Sequence, residues 1–197
     1  MAQEESKKCP HKNNIIRNKD IIPGDFIVAT KWIGVEGALE IISRKREDMA
    51  KRFSPSFMEY FIDYEENLST DKECSIADSF RIKETICVSD GGIFKALGDL
   101  SKTAGKGLEV DLKKVPVRQE VIEICNFFDI SPYEMKSKGM VLMVLAEPEA
   151  LVECLRKEGI PAAVIGRIRE DNDKLILNGE AVRYLDKIKA DSITKIL

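Results

Sequence analysis

The residues best suited to chemistry lie in one short run, Val88-Ser89-Asp90-Gly91-Gly92-Ile93-Phe94-Lys95. Two consecutive glycines let the backbone approach a neighbour closely. If a helix starts there, its first N–H groups point outward without partners. Such a turn can cradle a phosphate, because the helix dipole favours an anion at that end. Asp90, Gly91 and Gly92 would then touch the phosphate or its metal. Lys95, one turn into the helix, and Arg118, at the start of a later one, would add positive charge. The same turn also has a purely structural use, in which the glycines serve the backbone and Asp90 caps the helix. Neither G-x-x-x-x-G-K-[ST] nor G-x-G-x-x-G occurs in the chain, so the turn carries no fuller phosphate-loop signature.

Thiol and imidazole chemistry is sparse. Cysteines stand at 9, 74, 87, 125 and 154 with no C-x-x-C pair, the pattern of reduced, mostly buried thiols in a reducing compartment. Cys87, flanked by Ile86 and Val88 with no histidine nearby, reads as an inert buried thiol rather than a nucleophile. His11 is the one histidine. Its proximity to Cys9 reads as incidental, and no metal centre is expected.

The elements that must position these residues follow from hydrophobic periodicity. A turn at Asp20 to Asp25 precedes a strand over 26–32, and helical spacing then runs from Val35 to Phe53. Ser54-Pro55 stops that helix and starts another with Phe57, Phe61, Tyr64 and Leu68 on one stripe; Cys74 to Phe80 suggests a third. Ile86 to Val88 is a strand running into the glycine turn, and the helix after it ends near Gly105 or Gly107. Leu108 to Leu112 alternates as a strand with one wet face. A helix follows with Val117, Val121, Ile124, Cys125 and Phe128 inward. The apolar run Gly139 to Ala146 predicts a central strand covered on both faces. A helix from Pro148 to Gly159, a strand over 161–168, and a hairpin turning at Asn178-Gly179 complete the order. Helices alternating with strands predict an α/β or α+β fold, a layered mixed sheet with helices.

The 197 residues suit one domain, with a flexible tail over 1–14, a single domain over 15–197 and a helical insert around 35–83. Hydrophobic residues make up 44% and charged residues 33%, a composition that separates inside from outside. A net charge of −3 supplies no positive field for nucleic acid or anionic lipid, so neither is expected as a partner. No apolar run is long enough to span a bilayer and the N-terminus is charged, so the expected location is the cytoplasm.

Five blocks in order resemble a known family: Pro23 to Ala38 (PGDFIVATKWIGVEGA), Ser89 to Leu97 (SDGGIFKAL), Gly107 to Leu112 (GLEVDL), Val115 to Cys125 (VPVRQEVIEIC) and Ile160 to Gly166 (IPAAVIG). They are similar to the C-terminal domain of the AIR synthase-related (PurM-like) superfamily, with the strongest likeness to the hydrogenase maturation protein HypE branch. The resemblance implies a PurM C-terminal domain-like fold, partly ferredoxin-like. Such a domain covers an ATP site carried mostly by an acidic, metal-binding N-terminal domain, which this chain is expected to lack. Two departures weaken catalysis. The family's usual His-Asp pair before the glycine turn is Ile86-Cys87 here, and the chain ends Ile193-Thr194-Lys195-Ile196-Leu197 without the terminal cysteine that HypE uses as acceptor.

The expectation is therefore a domain without catalytic residues of its own, acting by association as a homodimer or homo-oligomer, or with a separately encoded ATP-binding domain. ATP and magnesium would bind only with that partner, in an enzyme of the phosphoryl-transfer type completed in trans. A third expectation is a phosphate- or nucleotide-binding sensor that keeps an anion pocket at the glycine turn.

Overall fold

The structure, a computed structural model, describes residues 21–62, 68–185 and 191–197. The proposed tail over 1–14, the Cys9/His11 pair and Tyr64 lie outside the described residues.

Seven strands form one mixed sheet in the order β2-β4-β1-β5-β3-β6-β7. They are β1 (Phe26–Thr30), β2 (Glu84–Cys87), β3 (Leu108–Asp111), β4 (Val141–Leu145), β5 (Ala162–Ile168), β6 (Lys174–Asn178) and β7 (Ala181–Tyr184). β3 and β6 run parallel, and every other pairing is antiparallel. β4 bears out the reading of its apolar run: all five residues are buried, with β2 on one side and β1 on the other. A register shift between Ile27 and Val28 puts a bulge between β1 and β5.

Each sheet face has its own cover. On one, Ile27, Ala29, Leu142, Val144, Val110 and Ile176 pack against Ile93, Phe94, Leu97 and Leu100 of α5 (Gly92–Ala104). On the other, Val28, Val141, Met143 and Leu145 meet Leu151, Val152 and Leu155 of α7 (Glu149–Lys157) and Ala77 of α4 (Asp71–Ala77). A third cluster is purely helical, joining α1 (Val35–Arg44), α2 (Arg46–Met49), α3 (Pro55–Ile62) and α6 (Gln119–Phe128) through Ile41, Met49, Phe61, Val121 and Ile124.

The helical insert is thus divided between two layers. α1 to α3 join α6, while α4 crosses to the sheet face covered by α7. The long helix expected from Val35 to Phe53 is broken at Lys45, and the first strand stops at Thr30 because Lys31 turns to a positive φ of 56°. Gly105, Gly159 and Gly179 adopt left-handed φ where the sequence placed two helix ends and a hairpin.

Asp25, nearly fully buried before β1, holds the sheet at its start. It accepts the Ile22 N–H at 2.7 Å and the Lys83 ammonium at 2.8 and 2.9 Å. Lys83 leads into β2, so the pair ties together the two strands that flank β4.

Candidate functional site

The glycine turn links edge strand β2 to α5, as the spacing predicted. Gly91 is the N-cap at φ 81°, and Gly92 follows at φ 64°. Both are buried. Gly92 is required by contact as well as by torsion: a Cβ there would lie 2.5 Å from the Tyr133 carbonyl and 2.7 Å from that of Met135. The close approach made possible by the second glycine is therefore to the chain's own backbone.

The turn's outward donor is also taken from within. The Gly91 N–H donates to Asp191 Oδ2 at 2.7 Å, while Asp191 Oδ1 accepts from the Ile193 N–H at 3.1 Å. A carboxylate at a helix N-terminus is a good electrostatic substitute for a phosphate. Packing fixes it in place. Ile193 is buried in the helical cluster, and the buried Ser192 hydroxyl donates to the Ser131 carbonyl at 3.0 Å.

Asp90, expected as cap or ligand, makes no capping bond, and its side chain is 73% exposed. Lys136 Nζ lies 3.9 Å from Asp90 Oδ1 and 2.7 Å from Glu40 Oε2 of α1. The bond to Glu40 raises the pKa of Lys136 above the ordinary lysine value, with the charges of Glu40 and Asp90 acting in the same direction. Lys95 is exposed on α5.

Arg118 is engaged elsewhere. Its guanidinium lies 5.1 Å from the centre of the Trp32 ring, and its Nη2 and Nε donate to Glu120 at 2.9 and 3.1 Å. This pairing holds the Glu120 carboxyl below its usual range. None of these contacts joins Arg118 to the glycine turn. Asp90, Gly91 and Gly92 thus share one site, with Lys95 one turn away, whereas Arg118 belongs to an aromatic surface cluster with Tyr60, whose hydroxyl is 3.4 Å from Nη2.

A second helix start converges on the segment that receives Gly92. The Gly34 N–H, at the N-cap of α1, donates to the buried Ser137 Oγ at 2.7 Å, and that hydroxyl donates to the Met135 carbonyl at 2.8 Å. Sequence reasoning missed Lys136, Ser137 and Asp191. Only a chain reversal over 100 residues brings Asp191 to Gly91, and no local pattern signals it.

Cysteine placement corrects one expectation. Cys74 and Cys125 are buried free thiols and Cys154 is a half-buried one, but Cys87 is half-buried and disulfide-bonded, not an inert buried thiol. Burial pushes the Cys125 thiol up to about 12. Among the described residues, no helix is long and apolar enough to cross a membrane.

A mixed sheet with a glycine-started helix on one face, and a second glycine-started helix meeting the same connecting segment, makes this a layered α/β domain. Residues 23–178 match the family model described as AIR synthase related protein, C-terminal domain, and the chain belongs to that family. It is similar to carbamoyl dehydratase HypE of Rhodobacter capsulatus, 32% identical over 81 residues covering 39% of this chain and 24% of that protein. A putative hydrogenase expression/formation protein of Methanocaldococcus jannaschii is 23% identical over 177 residues, covering 84% of this chain and 48% of its own length. Among solved structures, HypE of E. coli, a hydrogenase maturation protein, superposes with a TM-score of 0.73 at 16% identity, over 88% of this chain and 53% of that one. The chain spans about half the length of that structure.

Proposed function

We propose that this AIR synthase-related C-terminal domain acts by association, with itself or with a partner, in an accessory role of the HypE maturation kind, and has no turnover of its own. The observation that carries this reading is the internal occupation of the glycine turn. Gly91 already donates to Asp191, and Gly92 is packed on the backbone of Tyr133 and Met135. A free phosphate would have to displace a carboxylate that is anchored through Ser192 and Ile193. Phosphoryl transfer also needs several cations around the phosphates, and the turn has Lys136 beside it, already paired with Glu40.

Isothermal titration of the chain with ATP, ADP and inorganic phosphate, with magnesium present, tests this directly. No saturable heat is expected. Saturable binding by the isolated chain would replace the association reading with the sensor reading.

One observation favours a second reading, half of an ATP-dependent enzyme completed in trans. Two helix starts, at Gly34 and Gly91, converge on 131–138, and Lys136 bridges Glu40 of one helix to Asp90 beside the other. One similar structure, at TM-score 0.66 and 19% identity, is that of HypE in complex with ATP. ATP hydrolysis by a mixture of this chain and an added ATP-binding domain, absent from either alone, would select this reading.

A further inference from the structure

The sheet ends at β7 in an open edge. β6 pairs with one side of β7, and among the described residues no strand pairs with the other. The ladder register sets which backbone groups are free. Leu185 donates to the Lys174 carbonyl, so 181, 183 and 185 direct their N–H and C=O groups at β6, while Val182 and Tyr184 direct theirs outward. These two residues also expose large apolar side chains, 59% for Val182 and 65% for Tyr184. Nothing in Ala181 to Tyr184 blunts the edge by proline or lysine. Arg183 turns to the other face, its guanidinium 5.2 Å from the centre of the Phe94 ring.

The registers extend this strip across the sheet. Directly opposed residues share a face, which gives one row of Arg167, Glu109, Leu175 and Tyr184 and another of Asp111, Leu177 and Val182. Each row is charged towards the middle of the sheet and apolar at its margin. Arg167 and Glu109 neutralise one another at 3.2 Å, leaving the apolar margin as the part without a complement.

We propose that β7 pairs antiparallel with β7 of a second copy of this chain, continuing the sheet across a two-fold axis at Val182. The strand is self-complementary in this register. Only residues with outward backbone groups can form the hydrogen-bonded pairs, so Val182 faces Val182 of the second copy, and Tyr184 falls opposite Glu180 of the turn that precedes β7. Ala181 then lies opposite Arg183. A shift that set Arg183 opposite Arg183 would oppose like charges, and a one-residue slip would send the two apolar margins to opposite faces. In the register proposed, the second row reads Asp111, Leu177, Val182 and then the same residues in reverse, acidic at both ends and apolar in the middle. Strand pairing without a second layer buries less than the roughly 1,200–2,000 Å² typical of stable interfaces, so the dimer dissociates on dilution.

This deepens the association reading above and rests on it. Light scattering coupled to size exclusion over a concentration series is expected to show the mass rising from one chain towards two. Val182→Pro removes an outward N–H without touching the ladder to β6, and Val182→Lys places a charge at the dyad. Each should weaken dimerisation by at least about tenfold with an unchanged far-ultraviolet spectrum. Val182→Cys should give a 182–182 linked peptide on mild oxidation. A wild-type chain monomeric at every concentration would overturn the proposal, as would a dimer that both Val182→Lys and Val182→Pro leave intact. If Val182→Pro fails to fold, Val182→Lys and the 182–182 crosslink decide alone. Failure of the broader reading has a different signature, saturable nucleotide binding in the titration.

Discussion

At the scale of single residues, the glycine turn shows one sequence signal with its purpose redirected. A Gly-Gly pair before a helix permits close approach, but its type cannot say to what. Here Gly92 faces the Tyr133 and Met135 carbonyls and Gly91 faces a carboxylate 100 residues away. Gly98, in the middle of α5, has nothing within 4 Å of a built Cβ and no unusual torsion. The two positions should therefore respond oppositely to alanine. Gly92→Ala is expected to lose about 2 kcal/mol or more in urea denaturation, from a positive φ and an overlap with rigid backbone. Gly98→Ala should gain about 0.5–1 kcal/mol by relieving helical glycine entropy.

At the scale of elements, the Asp25–Lys83 pair does more than a surface ion pair would. Asp25 is 2% exposed and accepts three hydrogen bonds, so its charge is compensated only while Lys83 is present. Because the pair links the starts of β1 and β2 on either side of β4, its loss should loosen the edge strand that leads into the glycine turn. Lys83→Met is expected to cost about 3 kcal/mol or more in chemical denaturation. Faster amide exchange in β2 than in β5 would accompany it. Uniform exchange across the sheet would show that the pair does not secure that edge.

At the scale of the whole molecule, the buried thiols set an alkaline limit. An unfolded Cys125 loses its proton near the ordinary thiol value of 9.0, whereas the folded one keeps it until about 12. The unfolded state therefore binds fewer protons in that window. Stability should be level with respect to this group below pH 9 and fall as pH rises towards 12. Denaturation midpoints taken from about pH 8 to about pH 11 should decline, and Cys125→Ala should flatten part of the slope. An identical slope in the variant would assign the decline to other groups.

What the amino-acid order determined by itself was local. The buried run of β4, the hairpin at Asn178-Gly179 and the glycine ends of α5 and α7 each rest on side-chain period or on a torsion that glycine tolerates. The family followed from the same local blocks, which residues 23–178 bear out. Tertiary structure alone decided what meets what. It split the helical insert between two layers, set Arg118 against Trp32 and Glu120, and brought Asp191 to Gly91. The physical reason is that periodicity and turn chemistry act over a few residues. Which apolar face covers which, and which carboxylate ends at a free N–H, depend on contacts between segments far apart in the chain, and those are chosen by the packing of the whole core.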